Sequence, residues 1–196
     1  MRRRGYDAEA MRNFWIELGL TQKDISVPMS SLDSTNAKTI DATTPRLTFV
    51  AGGERLLIDC NTSRSGEAVP TSANPPVHPE HPDKGDRHWP FGDSDELEVF
   101  VVAENLAEAR ERGDVRLKDF ADLDLEAETA RIKAVARVDA TPIIHWLPVG
   151  HCEPAILLMA IDGELVEVEG FVELNDHHEG VVVQLERVGF ARIERR

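Results

Sequence analysis

Three polar side chains near the end of the chain have types and spacing that suit the recognition of hydrogen-bonding groups. Gln184, Glu186 and Arg187 lie within the stretch 181–193 and offer an amide, a carboxylate and a guanidinium. Such a set both donates and accepts hydrogen bonds, so it can read the edge of an unstacked nucleic-acid base. An apolar surface, or one made of lysines alone, could not. The set is therefore a candidate base-reading surface.

The residues around this set predict a strand with one buried face and one polar face. Val183, Leu185 and Val188 alternate with the polar side chains, and a period of two is typical of a half-buried strand. Gly189 permits a bend or a bulge, and Phe190 is expected to return to the core. Periodicity alone favours the plainer interpretation, an ordinary barrel strand with a solvated charged face.

A histidine-rich segment at residues 78–88 is the obvious place to look for a metal site. It contains three histidines and several carboxylates, but its prolines favour an extended loop, whereas metal ligands must converge. Neither CxxC nor HExxH occurs in the sequence, so no metal site is predicted. The polar stretch 176–180 is interpreted as a turn.

No residues with the arrangement of a catalytic centre are found. His145 and Trp146 could stack on bases, although a core histidine beside a packed tryptophan is the favoured interpretation. Cys152 beside His151 is not a dyad, because a nucleophile and its base also need an orienting third group. Glycine-rich phosphate loops, GxSxG elbows and paired catalytic carboxylates do not occur.

The composition predicts a soluble chain that is not secreted. No apolar run approaches the about 18 residues that indicate a membrane helix, and no signal-peptide pattern is seen. The two cysteines, Cys60 and Cys152, stand in unrelated contexts. They are interpreted as idle thiols of a cytosolic protein without disulfides.

The charge is strongly acidic, with 22 Lys and Arg against 36 Asp and Glu and a net charge of −14. Such a balance argues against nucleic-acid binding at ordinary salt, where phosphate contacts dominate the affinity. It is also typical of proteins from a very salty cytoplasm, where the Debye length falls to about 3 Å and a negative field barely repels RNA. Recognition would then depend on contact-range hydrogen bonds, for which arginine is better suited than lysine.

The elements that must position these residues form a helical part followed by a β-rich part. Residues 1–43 read as helical, with Asp7 as a cap, Gly19 at the end of the first helix, and a second helix beginning near Ser30 or Ser31. From residue 45 onward, many short strands predict one or two small barrels. Gly52-Gly53 and Asp162-Gly163 predict hairpin turns.

Six stretches of the sequence occur in an order and with a spacing that are specific when the stretches are taken together. They are RRRG with AMRNFWIELG in 2–19, residues 32–46, HP-x-x-P-x-x-G-x-R at 78–87, VRLKD at 115–119, IHW at 144–146 and QLERVGF at 184–190. From about residue 2 to 194 the chain resembles the region that follows the catalytic domain in archaeal-type glutamyl-tRNA synthetases. Glutaminyl-tRNA synthetases share this region and are the close relative to distinguish.

The resemblance implies a mainly β fold with two stacked β-barrels, preceded by a helical connector over residues 1–43. The distal barrel, at 98–164, would be inserted into the proximal barrel, at 44–97 and 165–196. The arginine run that opens the chain resembles the segment that comes just after the catalytic domain in that family. The HIGH-like and KMSKS-like motifs of that domain do not occur in this sequence.

The resemblance also implies which side chains contact splayed anticodon bases. In the glutaminyl relative, one contact is an arginine that enters the proximal barrel, and this position falls on Arg46. An Arg-x-Arg pair of the distal barrel falls on Arg116 and Lys118. Lysine cannot make the bidentate planar contact of arginine, which implies relaxed reading of the first anticodon base. The third set, a Gln-x-Glu-Arg strand, falls on the three residues described first, Gln184, Glu186 and Arg187.

The implied role is tRNA anticodon recognition within a glutamate–tRNA ligase, an aminoacyl-tRNA synthetase of protein biosynthesis. The partner would be the anticodon stem-loop of the glutamate tRNA, and we expect a cytoplasmic monomer that does not contact membranes. No cofactor and no catalytic residue is expected in this chain, whereas ATP and Mg²⁺ are implied for the parent enzyme. Two alternatives are the equivalent region of a glutaminyl-tRNA synthetase and an acidic β-barrel protein-interaction module from a salt-adapted cell.

Overall fold

The computed structural model describes residues 4–19, 25–61, 63–137, 140–161 and 163–194. Of these residues, 37% lie in strands and 24% in helices, so the predicted mainly β class is confirmed. Arg2 and Arg3 of the opening run, and Asp162 of the predicted second hairpin turn, lie outside the described residues.

The described elements follow one another in three helices and fifteen strands. They are α1 (Ala8–Leu18), α2 (Met29–Ile40), β1 (Arg46–Leu47), β2 (Phe49–Ala51), β3 (Glu54–Asp59), β4 (Ser72–Ala73), β5 (Trp89–Pro90), β6 (Glu96–Val101), α3 (Ala103–Arg112), β7 (Asp114–Leu117), β8 (Asp122–Asp124), β9 (Ala130–Ala134), β10 (Ile143–Ile144), β11 (Trp146–Pro148), β12 (Cys152–Ile161), β13 (Glu164–Glu173), β14 (Val182–Leu185) and β15 (Gly189–Arg192). Short 3-10 turns occupy Asp41–Thr43, Pro82–Lys84 and Val149–His151.

The chain divides into two compact units. The first contains Met1–Leu47, Val77–Lys84 and Asp176–Arg196, and the second contains Thr48–Pro76 and Gly85–Asn175. The barrel boundaries implied by the resemblance stay a prediction.

Local signals set the ends of α1 in the first unit. The Asp7 carboxylate accepts hydrogen bonds from the backbone N–H groups of Glu9 and Ala10, and Gly19 ends the helix with φ of 66°. The helix buries Ala10 and Phe14, whereas Trp15 is 65% exposed. The predicted cap and helix end are therefore confirmed, and the buried face of the helix does not include Trp15.

A buried amide joins the two helices of the first unit. Asn36 of α2 is 3% exposed, accepts a hydrogen bond from the backbone N–H of Asp7 at 2.9 Å, and donates to the Gly5 carbonyl at 3.2 Å. A buried amide that makes both kinds of hydrogen bond costs little to desolvate. It therefore fixes the position of α1 relative to α2.

The second unit is built on a seven-stranded sheet with the order β10-β7-β8-β9-β3-β6-β11. A three-stranded sheet, β12-β13-β2, and the pair β4-β5 complete it. The seven-stranded sheet joins β3, assigned by the resemblance to the proximal barrel, to β9, assigned to the distal one. Its buried face supplies most of the core, including Leu56, Ile58, Val99, Leu117 and Ile132.

The predicted hairpin around Gly52-Gly53 is wrong. The turn itself exists, but β2 pairs with β13 while β3 pairs with β6 and β9, so the two glycines carry the chain between sheets. A side chain has no room at Gly53 or at Gly170, because other atoms come too close to each of them. A Cβ on Gly53 would lie 2.5 Å from the Phe171 ring, and one on Gly170 would lie 2.3 Å from the Val50 carbonyl oxygen.

The Cys60 thiol of the second unit leads to a testable expectation. Burial, helped by the neighbouring Asp59 carboxylate, raises the pKa of Cys60 to about 11. Only the thiolate reacts with iodoacetamide, and a thiol of pKa 11 is roughly 200-fold less ionised at pH 8 than one of pKa 8.5. We expect alkylation of Cys60 in a Cys152→Ser variant, followed by mass spectrometry, to be about 100-fold slower in the folded than in the urea-unfolded chain. Rates within a factor of five would contradict the burial argument.

Candidate nucleic-acid interface

A small sheet in the first unit brings two of the predicted site residues into register. β1 pairs in parallel with β14, which places Arg46 opposite Gln184, and β14 pairs antiparallel with β15, which places Gln184 opposite Phe190. Cross-strand partners project from the same face of a sheet. Arg46, Gln184 and Phe190 therefore share one face, which we call the polar face. The opposite face is buried through Leu47, Val183 and Leu185.

Phe190 does not return to the core as predicted. It is half-buried and lies on the polar face, opposite Gln184 rather than beside Leu185. The reason is the length of the loop between β14 and β15, which sets the face from which each residue of β15 projects. An aromatic ring on a face with an amide and a guanidinium is a platform on which a base could stack.

The stretch that holds Gln184, Glu186 and Arg187 ends in a tight hairpin, so the prediction that one strand continues through Val188 is wrong. Leu185 pairs with Gly189, which leaves three residues, 186–188, in the loop, and the Val188 N–H donates to the Leu185 carbonyl at 3.0 Å. Val188 is 42% exposed. Arg187 has φ of 62°, a left-handed conformation that is uncommon for a residue other than glycine. It is exposed at the hairpin tip, and Glu186 precedes it, half-buried.

Arg46 is held tightly, not extended into solvent. Its side chain is 14% exposed, and Nη2 lies 3.1 Å and 3.3 Å from the two carboxylate oxygens of Asp41. Asp41 opens the 3-10 turn that follows α2. Charge-assisted bonds of this kind fix a guanidinium in one orientation. The planar fork of Arg46 is therefore pre-organised at the edge of the polar face.

Gln184 carries a buried polar atom on this face. Its Oε1 is buried, and no donor within the described part of the chain hydrogen-bonds to it. Buried acceptors without a donor are rare in folded proteins because the lost hydration is not recovered. A ligand with an N–H group, such as a base edge, would supply the missing donor.

The remaining two predicted residues lie in the second unit. Arg116 of β7 donates from Nη1 to Asp122 at 3.0 Å and from Nη2 to the Val135 carbonyl at 3.2 Å. Asp122 is directly opposite it on β8. Lys118, two residues on, contacts the carboxylate of Asp119 at 2.8 Å and is 30% exposed. Two guanidinium nitrogens of Arg116 are thus engaged within the unit, and Lys118 is the more accessible cation.

The structure therefore groups the six predicted residues in two sets. Four of them, Arg46, Gln184, Glu186 and Arg187, belong to the first unit, and Arg116 and Lys118 belong to the second. Asp41 and His78, which surround Arg46, were missed by the sequence reasoning. The available signal was the His78-Pro79 motif, but its partner stands 37 residues earlier (78 − 41) and is not visible as a pattern.

Other kinds of site receive no support from the described residues. Among residues 4–19, 25–61, 63–137, 140–161 and 163–194, no group of three or more His, Cys, Asp or Glu could hold a metal ion. Within the same ranges, none of the helices is long and apolar enough to cross a membrane. His145 is half-buried and Trp146 is 1% exposed, so the expected packing of this tryptophan in the core is confirmed.

The chain was compared with known proteins, and no protein-family model matches it. It is 33% identical over 205 residues to a glutamate–tRNA ligase of Pyrococcus furiosus, covering 100% of the chain and 34% of that protein. Glutamate–tRNA ligases of Halobacterium salinarum (33% identical over 211 residues) and Methanosarcina acetivorans (32% over 201 residues) each match 99% of the chain and 33% of their own length. The chain spans about a third of the length of these relatives. Across its whole length it is thus a homologue of a part of the archaeal glutamate–tRNA ligases.

Proposed function

We propose that this chain is the tRNA-binding, non-catalytic part of a glutamate–tRNA ligase and grips the anticodon stem-loop. The observation that carries the proposal is the polar face, where Arg46 and Gln184 lie in register and the Arg187 hairpin follows directly. These side chains supply planar donors and an unsatisfied acceptor, the groups that read an unstacked base. The similarity of the whole chain to proteins named glutamate–tRNA ligase supports tRNA as the RNA.

The parent enzyme would attach glutamate to its tRNA with ATP and Mg²⁺ in the cytoplasm. We assign neither ATP nor Mg²⁺ to residues of this chain, so it would not aminoacylate alone. The tRNA-binding part is proposed to act as a monomer.

The net charge of −14 shapes how such binding would work. A negative field repels RNA at low salt, but at about 1 M salt it is screened within about 3 Å. Affinity would then come from direct hydrogen bonds and stacking, not from long-range attraction to phosphates. We therefore propose binding that tolerates molar salt.

Lys118 suggests how the three anticodon positions would differ. A lysine is a point charge without the bidentate fork of arginine. We propose that Lys118 tolerates several first bases, with Arg116 beside it, whereas Arg46, Gln184, Glu186 and Arg187 read the remaining positions strictly.

Replacing Arg187 by alanine tests this assignment. We expect binding of an anticodon stem-loop RNA with a central uridine to weaken by about 1–3 kcal/mol, the value of one good base contact. Fluorescence anisotropy in molar salt measures it. The matched control is Arg55→Ala, which removes the same charge from an exposed ion pair with Glu98 in the second unit.

Three outcomes would revise the proposal. Equal affinity for RNAs with central uridine and central cytidine would remove base reading from the chain. Unchanged binding by folded Arg187→Ala would remove Arg187 from the site. Tighter binding of glutamine tRNA than of glutamate tRNA would favour the glutaminyl relative.

A further inference from the structure

We infer that His78 is a positioning residue, which orients Arg46 for base recognition through a shared carboxylate. The inference rests on the proposed function and assigns a role to a residue that does not itself reach the polar face. His78 is 1% exposed, and its Nε2 lies 3.3 Å from Oδ2 of Asp41. The same carboxylate accepts from Nη2 of Arg46 at 3.1 Å and 3.3 Å. The Asp41 carboxylate thus lies against both an imidazole and a guanidinium.

The hydrogen bonds around the ring determine where its proton lies. The backbone N–H of Glu80 points at Nδ1 of His78 at 3.1 Å, so Nδ1 is an acceptor and carries no proton. In this tautomer Nε2 carries the proton and lies 3.3 Å from Oδ2 of Asp41. Nη2 of Arg46, 3.2 Å from Nε2, is then a second donor beside the first.

This arrangement restricts the guanidinium of Arg46. A carboxylate held only by Arg46 could rotate about its side-chain bonds, and the guanidinium would follow. With the buried His78 ring 3.3 Å from Oδ2 and 3.2 Å from Nη2, both the Asp41 carboxylate and the guanidinium have less room to turn. A ligand-contacting group held by locked neighbours binds with less loss of entropy. His78 therefore acts on recognition through Asp41 and Arg46.

The loop that carries His78 has separate attachments, which allows its structural role to be separated from positioning. The Lys84 ammonium contacts the carbonyl of Ala42. The backbone N–H of His81 also donates to the His78 carbonyl at 3.2 Å. Loss of the Nε2–H group alone should therefore leave the loop in place.

Two substitutions of His78 divide the functions of its two nitrogens. In His78→Asn the side-chain oxygen can accept from Glu80 in place of Nδ1, but no donor reaches Asp41. In His78→Gln the amide nitrogen takes the place of Nε2 and keeps the donor to Asp41. We expect solvent exchange of the Arg46 side-chain N–H, followed by NMR and assigned with Arg46→Lys, to be about tenfold faster in His78→Asn and near wild type in His78→Gln.

The second measurement is the preference for a stem-loop RNA with a central uridine over one with a central cytidine. We expect His78→Asn to reduce this preference about fivefold or more and His78→Gln to retain most of it. In an Arg46→Ala background, His78→Asn should cause no further loss, because both changes act through the same guanidinium.

Each result has a distinct meaning. Unchanged N–H exchange in His78→Asn, or an equal loss of affinity with and without Arg46, would overturn the positioning role. If the wild-type chain binds both RNAs equally while the exchange result holds, the proposed function fails and the orienting contact stands. An effect of His78→Asn on RNA without one from Arg46→Ala would also overturn the inference.

Discussion

Replacing Glu173 by alanine is expected to lower the free energy of unfolding by about 3–5 kcal/mol. Glu173, in the second unit, is 3% exposed, and Oε2 accepts from Arg87 Nη1 at 2.6 Å and from the Thr48 backbone N–H at 2.7 Å. Oε1 lies 3.5 Å from Nε1 of Trp89. Without the carboxylate, the Arg87 charge, on a side chain only 10% exposed, would lose its buried counter-charge. Breaking one side of a buried pair is costly because the other charge remains desolvated.

Urea denaturation followed by circular dichroism measures this loss. Glu169→Ala is the matched control, since Glu169 is an exposed carboxylate on the same strand, and its loss should be within about 0.5 kcal/mol. Glu173→Gln keeps the shape and one acceptor while removing the charge, so it separates the loss of the side chain from the loss of the charge. A loss below about 1 kcal/mol for Glu173→Ala would show that the pair adds no net stability.

The same carboxylate gives the unfolding free energy a defined pH dependence. Burial raises the pKa of Glu173 above its ordinary value of 4.5, and the Arg87 charge and the Thr48 N–H offset part of that effect. The native state therefore holds a proton on Glu173 more tightly than the unfolded state does. The stabilisation that this more tightly bound proton gives the native state is fully present below pH 4.5 and is lost as the pH rises through the raised pKa of Glu173. We expect the stability of wild type relative to Glu173→Gln to fall across that window.

Features with local causes could be predicted from the sequence. The cap at Asp7 and the helix end at Gly19 depend on a few neighbouring residues, and both are confirmed. Local alternation is also visible in β7, where Val115 and Leu117 are buried and Arg116 between them is half-buried. These patterns need no knowledge of distant partners, because helix caps and strand faces are set by adjacent backbone.

Features that depend on distant partners could not be predicted. The Gly52-Gly53 pair carries the pattern of a hairpin, yet β2 pairs with β13, whose Gly170 lets the two backbones meet closely. Likewise, the alternation through Val188 does not reveal that Leu185 pairs with Gly189 and turns the chain. Periodicity describes which residues share a face, but strand pairing is chosen by the whole core.

The candidate site shows the same limit. Arg46 and Gln184 stand 138 positions apart (184 − 46), and only a family resemblance suggested that they act together; their register on β1 and β14 places them side by side. Asp41 and His78 lie in stretches that carry the resemblance, but no contact role was implied for either of them. They became visible only because folding places both within 3.3 Å of one another, next to Arg46. Residues that hold a binding side chain in place leave only a weak pattern in the sequence, because they meet their partners only in the folded chain.

Replacing Trp146 by alanine is the other change expected to cost about 3–5 kcal/mol of unfolding free energy. Trp146 is 1% exposed in the core of the second unit, and its ring lies 5.6 Å from that of Trp89, in an edge-to-face contact, and 5.2 Å from that of Phe120. Removing the indole would leave a large cavity that these rings fill only partly. Trp15→Ala is the control in this experiment, because Trp15 is 65% exposed and its loss should cost less than about 0.5 kcal/mol.

Trp146→Phe separates packing from hydrogen bonding. Nε1 of Trp146 donates to the Lys118 carbonyl at 2.9 Å, which ties the core to the end of β7. Phenylalanine keeps an aromatic ring but not this donor, so we expect a loss of about 1–3 kcal/mol, smaller than that of alanine. If Trp146→Phe costs as much as Trp146→Ala, the bond to Lys118 rather than ring packing holds this strand end. In that case Lys118, a candidate contact for the first anticodon base, would be positioned by the core itself.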